Sequence, residues 1–296
     1  MQNHQDTLHH FLFENSPIRG NLAHLNATYC DALQHQALPR VLKNALGELM
    51  TASALLISTL KMEGALILQL QSKGILKLLV VECNSDLEIR ATAKWDKDLF
   101  DKTYAQHKAD ASFIQLIADG QFVITLDPKQ GESYQGIVPI EGDSIAEMLE
   151  HYMLRSQQID TSIWLHCNDT QASGMLLQKL PNQHSDDIDM WNRVNQLAST
   201  ISDTELADLE PARLLTRLFH EEEIRLFQPR STKAFCSCNR QSVANMLTIL
   251  GQTEVESISE EQGSIQIHCD FCNKHYVFDE TESSQLFEEA VPPIKH

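Results

Sequence analysis

Apolar positions recur along this chain with different rhythms, and each rhythm marks a region. Residues 21–36 and 40–61 carry helical spacing, the second densely so through Val41, Leu42, Leu46, Leu49 and Met50. Pro39 separates them, because proline lacks the N–H that would continue a helix. The texture then shortens. Residues 65–70, 75–82 and 87–95 are brief apolar runs divided by Ser72-Lys73-Gly74 and Asn84-Ser85-Asp86, the punctuation of β-hairpins. Residues 122–126 and 134–140 read as a second strand pair around Asp127-Pro128 and Gly131. Residues 144–156 read as a helix, and 163–167 and 175–180 as further strands. Helices and strands mix without a regular βαβα beat, which predicts an α+β fold, with residues 1–180 as one domain of mixed helices and β-sheet.

From Pro181 the pattern turns helical and strongly charged. Residues 186–199 and 204–226 have helical spacing, Ser202-x-x-Glu205 fits a capping box, and Pro211 suits the first turn of a further helix. Leu214, Leu215, Leu218 and Phe219 form an apolar stripe opposite Arg213, Arg217 and Glu221, as in any helix packed on its neighbours. Residues 181–231 are therefore expected to be a helical linker. Beyond it, residues 240–250 have helical spacing that ends at Gly251, and Ile265, Ile267, Tyr276 and Phe278 alternate on either side of a turn. Residues 232–287 are expected to form a small module, and 288–296 a tail.

Composition narrows the function classes. The 296 residues are 42% hydrophobic and 22% charged, the balance of a globular protein of roughly two domains. The longest apolar stretch, residues 41–60, is interrupted by Lys43, Asn44 and Glu48, whereas a membrane span needs about 20 nearly unbroken apolar residues. The first ten residues lack the basic start and apolar run of a signal peptide. A cytoplasmic protein without a membrane partner is expected. The net charge of −18 argues against a nucleic-acid partner, since affinity for phosphates rests on clustered lysine and arginine.

Seven cysteines speak against a fully paired secreted scaffold, and four of them cluster. Cys236-Ser237-Cys238 is followed by Cys269-Asp270-Phe271-Cys272, the latter at the turn of the expected hairpin. Four soft thiolates in a reducing compartment predict one tetrahedral Zn²⁺ per chain, held by Cys236, Cys238, Cys269 and Cys272. His268 and His275 flank the second pair as alternative ligands or as groups around the site. A module this small and this poor in large apolar side chains needs a metal or another staple. The site therefore reads either as inert scaffolding or as a redox trigger. A bridge across CxC would close a very tight loop, and strained bridges are the labile, regulatory kind.

Other constellations are weak. The glycine spacing of GESYQG at 131–136 mimics a P-loop but continues with Ile137-Val138, without the Lys-Ser/Thr that holds phosphate and Mg²⁺. His220 is followed by three glutamates but has no second histidine four residues on, so it reads as a solvated helix face. Cys30, Cys83 and Cys167 are expected to be buried small hydrophobes, and His9-His10 a surface pair. No GxSxG elbow appears, and no enzyme is expected.

The chain resembles the bacterial 33 kDa chaperonin family, the redox-regulated heat-shock holdases. FLFENSPIRG at 11–20, ELMTASALL at 48–56, LQLQSKG at 68–74, GESYQG at 131–136 and YMLRSQQ at 152–158 carry the likeness. So do GMLLQKLP at 174–181, LFHEEEIRLF at 218–227, CSC at 236–238 and HCDFCNKHYVF at 268–278. Asn239-Arg240-Gln241 departs from the family's frequent Ser-Arg-Glu. The resemblance implies an inactive reduced form with zinc on the four thiolates. It also implies that oxidation forms Cys236–Cys238 and Cys269–Cys272 bridges and ejects zinc. The module and linker would then unfold, unfolding client proteins would be held without ATP, and the active form would tend to dimerise. The competing readings are a thiol–disulfide oxidoreductase and an acidic adaptor with purely structural zinc. Charge is consistent with a part that opens: residues 181–296 hold 9 basic and 20 acidic groups, whose self-repulsion favours an open, soluble chain.

Overall fold

A computed structural model of the chain describes residues 5–105, 111–181, 187 and 189–288. β1 (Thr7–Phe13) and β2 (Ile18–Leu25) pair as a hairpin, and α1 (Ala27–Leu33) and α2 (Arg40–Ile57) follow. β3 (Gly64–Gln71), β4 (Leu76–Asn84) and β5 (Glu88–Trp95) form an antiparallel meander ahead of α3 (Lys97–Thr103). β6 (Gln121–Pro128) and β7 (Tyr134–Pro139) make a second hairpin. α4 (Ile145–Tyr152) runs into a π-helical turn at Met153–Gln157. β8 (Thr161–Cys167) and β9 (Ala172–Lys179) pair, and α5 (Met190–Ala198), α6 (Asp203–Asp208) and α7 (Pro211–Leu218) succeed them. The short strands β10 (Ile224–Leu226), β11 (Arg230–Ser231) and β12 (Lys233–Ala234) complete this part.

These strands build two six-stranded sheets. The first runs β10-β1-β2-β9-β8, with β11 also on β1, and the second runs β12-β5-β4-β3-β6-β7. α2 packs against β2, β8 and β9 of the first and β3, β4 and β5 of the second. That double contact explains a helix apolar all round: from Leu49 to Ile57 every side chain is buried. Among the described residues no helix is long and apolar enough to cross a membrane.

The first sheet is covered on both faces. Leu8, Ala23, Leu25 and Leu176 belong to the core around α2, while Phe11, Phe13, Ile18, Leu22, Met175 and Leu177 pack against α5, α6 and α7. This corrects the expectation of helix over residues 21–25. β2 is buried at seven of its eight positions, and a strand buried on both faces loses the alternation that would betray it. The ring of Phe11 lies over its cross-strand partner Gly20, where a Cβ would come within 2.0 Å of the ring. His9 and His10 are half-buried in β1 and are not a surface pair.

The expected stripe of Leu214, Leu215, Leu218 and Phe219 is buried against this sheet, and the Ser202–Glu205 capping box is present. The helix expected to continue to 226 stops at Leu218, with Ile224–Leu226 pairing with Phe11–Phe13 instead. The carboxylates at 221–223 offer no apolar residue to extend the stripe, so His220 and Glu221 lie in an exposed turn, not on a helix face. The helix expected from 186 begins at Met190; residues 182–186 and 188 lie outside the described residues.

A second compact unit begins at Cys236. It holds α8 (Arg240–Leu250), α9 (Gln252–Gln262), β13 (Ser264–His268), β14 (His275–Asp279) and α10 (Glu280–Glu288). Most of the expected tail, residues 289–296, lies outside the described residues.

Candidate metal centre

The second unit has a small core: Ala244, Leu247, Val255, Ile265, Tyr276 and Phe278. β13 and β14 pair from Ser264↔Asp279 to His268↔His275, so the hairpin delivers Cys269 and Cys272 at its closed end. The turn is fixed by its backbone. Cys269 N–H donates to Lys274 O at 3.0 Å and Asn273 N–H to Cys269 O at 2.9 Å. Asn273 takes the left-handed conformation (φ 55°) that asparagine tolerates better than most residues.

Cys236 and Cys238 arrive on the segment leading into α8. Asn239 caps that helix, accepting the Ser242 N–H at 2.9 Å. The departure from Ser at this position therefore keeps its function, since Asn and Ser cap helices about equally well. Arg240 lies 4.3 Å over the Phe278 ring and pairs with Glu282 at 2.6 Å, tying the start of α8 to β14 and α10.

All four predicted thiols converge. Their sulfurs lie within 4.8 Å of one another, with Cys236–Cys269 at 3.7 Å and Cys238–Cys272 at 3.3 Å. A tetrahedron with Zn–S arms of about 2.3 Å has edges of about 3.8 Å, so the cage has the size that a zinc tetrathiolate requires. A disulfide would need about 2.05 Å, and all four cysteines are free. Each is half-buried.

Hydrogen bonds reach the sulfurs from around the cage. The Tyr276 hydroxyl donates to Cys238 Sγ at 3.2 Å, and backbone N–H groups of Cys238 and Lys274 point at Cys236 and Cys272. Burial raises the Cys236 and Cys272 thiols, Cys272 to about 12. At Cys238 burial also acts upward, but donors from Tyr276 and Cys272 prevail and bring it down to about 7. One thiolate is thus favoured in the cage before any cation enters, and a dication would favour the remaining three. Tyr276 was legible in the sequence only as an inward strand position; its hydroxyl's aim at a sulfur had no signal there.

His268 and His275 do not enter this cage. Their rings stack 4.2 Å apart, exposed, across the last pair of the hairpin. Cys83 and Cys167 are buried as expected, while Cys30 is half-buried. Gly131–Gly136 crosses the β6–β7 hairpin with no helix behind it to hold a phosphate.

The family description Hsp33 protein matches residues 6–279. The chain belongs to the Hsp33 family. Relatives named 33 kDa chaperonin share 54% identity in Methylobacillus flagellatus, over 97% of this chain and 96% of that one, and 46% in Chromobacterium violaceum, over 98% and 96%. The crystal structure of the Hsp33 homolog from Thermotoga maritima matches with a TM-score of 0.78, covering 96% of this chain and 98% of that chain. Its 20% identity makes it a statement about the α+β fold alone. Hsp33 membership supports a chaperone role.

Proposed function

We propose that this Hsp33 protein is a redox-regulated, ATP-independent holdase of the cytoplasm, inactive while reduced and zinc-bound. The observation that carries this reading is the cage of four free thiols, which joins two motifs more than 30 residues apart.

Bound there, zinc would hold Cys236, Cys238, Cys269 and Cys272 as thiolates and staple the start of α8 to the hairpin. A thiolate that attacks a peroxide oxygen breaks the O–O bond and becomes a sulfenic acid with loss of hydroxide, and the neighbouring thiolate then displaces a second hydroxide from that sulfur to close a disulfide. Each bridge gives up two electrons to one peroxide, whose oxygens leave as water once protonated. Pairing Cys236 with Cys238 and Cys269 with Cys272 consumes every thiolate and leaves no donor set for the ion. Both bridges are local, so neither replaces the lost cross-link between the motifs. The six-residue core is then too small to keep the module folded.

Within the first unit, α5, α6 and α7 are too short to persist without tertiary packing. Their release would bare Phe11, Phe13, Ile18, Leu22, Met175 and Leu177, an apolar sheet face suited to unfolding clients. In this reading residues 1–180 are the frame, 181–231 a releasable cover and 232–287 the switch, with dimerisation following exposure. The test pairs two measurements on one oxidised sample. Peroxide should release one zinc per chain to a chromophoric chelator, and the same protein should suppress aggregation of a heat-denatured client. Unchanged zinc content, or equal suppression by the reduced form, would refute it.

A further inference from the structure

We infer that the first unit binds a small amphipathic carboxylate, of the medium-chain fatty-acid type, in a cavity whose polar end is Arg19. The cavity measures about 200 Å³ and opens beside the C-terminal end of α2. Leu56, Leu66, Ile124, Leu126, Met153 and Ile159 supply an apolar wall. Arg19 enters from β2 and Lys61 from the chain just past α2.

Arg19 is the unusual member. It is half-buried, yet among the described residues it faces no carboxylate, and its Nε and Nη2 donate to a single neutral oxygen, Gln178 Oε1, at 3.1 and 2.7 Å. Gln178 is fully buried and is itself fixed, donating from Nε2 to Thr161 Oγ1 at 3.2 Å, which donates to Ile159 O. This relay aims the guanidinium at the cavity and leaves three of its five N–H groups without a partner among the described residues. A half-buried cation with spare donors beside an apolar void is an unmatched arrangement. A carboxylate would meet it with charge-assisted bonds while an alkyl tail fills the wall.

The far wall is irregular where a ligand would need room. The π-helical turn at Met153–Gln157 ends at Gln158, held in the left-handed region at φ 54°. Single π turns inside helices often mark functional sites.

The test uses the full reduced, zinc-loaded chain with octanoate, followed by the NMR signal of the Met153 methyl group. Octanoate should shift that resonance saturably, and octanol should bind about tenfold or more weakly for want of charge-assisted bonds. Arg19→Met should lose octanoate binding to a similar degree. Ile124→Trp, which fills the void and leaves Arg19 in place, should abolish it. Equal binding of octanoate and octanol, no shift at Met153, or octanoate binding that survives Ile124→Trp would each overturn the inference. The zinc site takes no part in these readouts, so their failure is independent of the redox reading.

Discussion

The sulfur of Cys238 lies 3.3 Å from that of Cys272, a residue 34 positions later, and Cys236 stands in the same relation to Cys269 at 3.7 Å. Both contacts cross between the two motifs. A metal in this cage would therefore act as a long-range staple, closing the loop that contains α8, α9 and β13. Bridges within each motif would close only tiny loops, and they would leave the long loop unconstrained.

Replacing Cys269 and Cys272 with Ser should abolish zinc binding and unfold the second unit, because structural zinc supplies about 10–16 kcal/mol in comparable small modules. Amide NMR dispersion should collapse for residues from 236 onward and persist for α2 and the two sheets. A variant that keeps both its zinc and the dispersed signals would refute the ligand assignment.

After peroxide treatment, tryptic peptides should carry Cys236–Cys238 and Cys269–Cys272 bridges. The reduced geometry brings Cys238 and Cys272 within 3.3 Å across the motifs, so a kinetic trap would instead yield Cys238–Cys272. Mass spectrometry of unreduced digests separates these outcomes, and a dominant cross-motif bridge would defeat the switch as proposed, since it would preserve the staple.

Tyr276→Phe removes the hydroxyl that donates to Cys238 while keeping the ring in the core. Loss of one such hydrogen bond costs about 1 kcal/mol. A sulfur freed of a donor is the better nucleophile, so peroxide-driven zinc release should quicken several-fold in stopped-flow chelator assays. An unchanged rate would show that Tyr276 only packs.

The site was more legible in the sequence than the fold around it. Thiol spacing singles out Cys236, Cys238, Cys269 and Cys272 as a group because metal chemistry constrains residue type and interval together, and the four sulfurs do meet. The β3–β4–β5 meander was equally plain, its half-exposed strands alternating between marked turns. The sequence of β2 reads as helix because burial on both faces erases its alternation, and that of β10 because its three residues are defined by pairing with β1. α9 and α10 carry polar residues at most positions, leaving little periodicity to read. The Arg19–Gln178 relay joins residues 159 apart and exists only through sheet register.

Leu215→Ala should loosen the cover formed by α5, α6 and α7. Leu215 is buried in the layer beneath the first sheet, and such truncations cost about 2–5 kcal/mol. If this layer hides the client surface, the variant should suppress client aggregation while still reduced and zinc-loaded. Light scattering at matched zinc content reads this directly. A destabilised variant with no gain in suppression would place the client surface elsewhere.

Glu48 gives the first unit a defined pH signature. It lies on α2 and shares a small cavity with Arg40 and Asn44, and its carboxyl is pushed up to about 7, chiefly by burial and further by Asp203. Between the ordinary value of 4.5 and about 7, the folded chain keeps a proton that the unfolded chain has released. The unfolded state then binds fewer protons, so this contribution to stability is complete below about pH 4.5 and is lost as pH rises through 7. Glu48→Gln stays neutral and should match the wild type at low pH while exceeding it by about 1–3 kcal/mol at pH 8. Urea unfolding followed by the fluorescence of the protein's tryptophans at several pH values measures the difference. A gap that fails to widen between pH 5 and 8 would mean that Glu48 ionises freely in the folded protein.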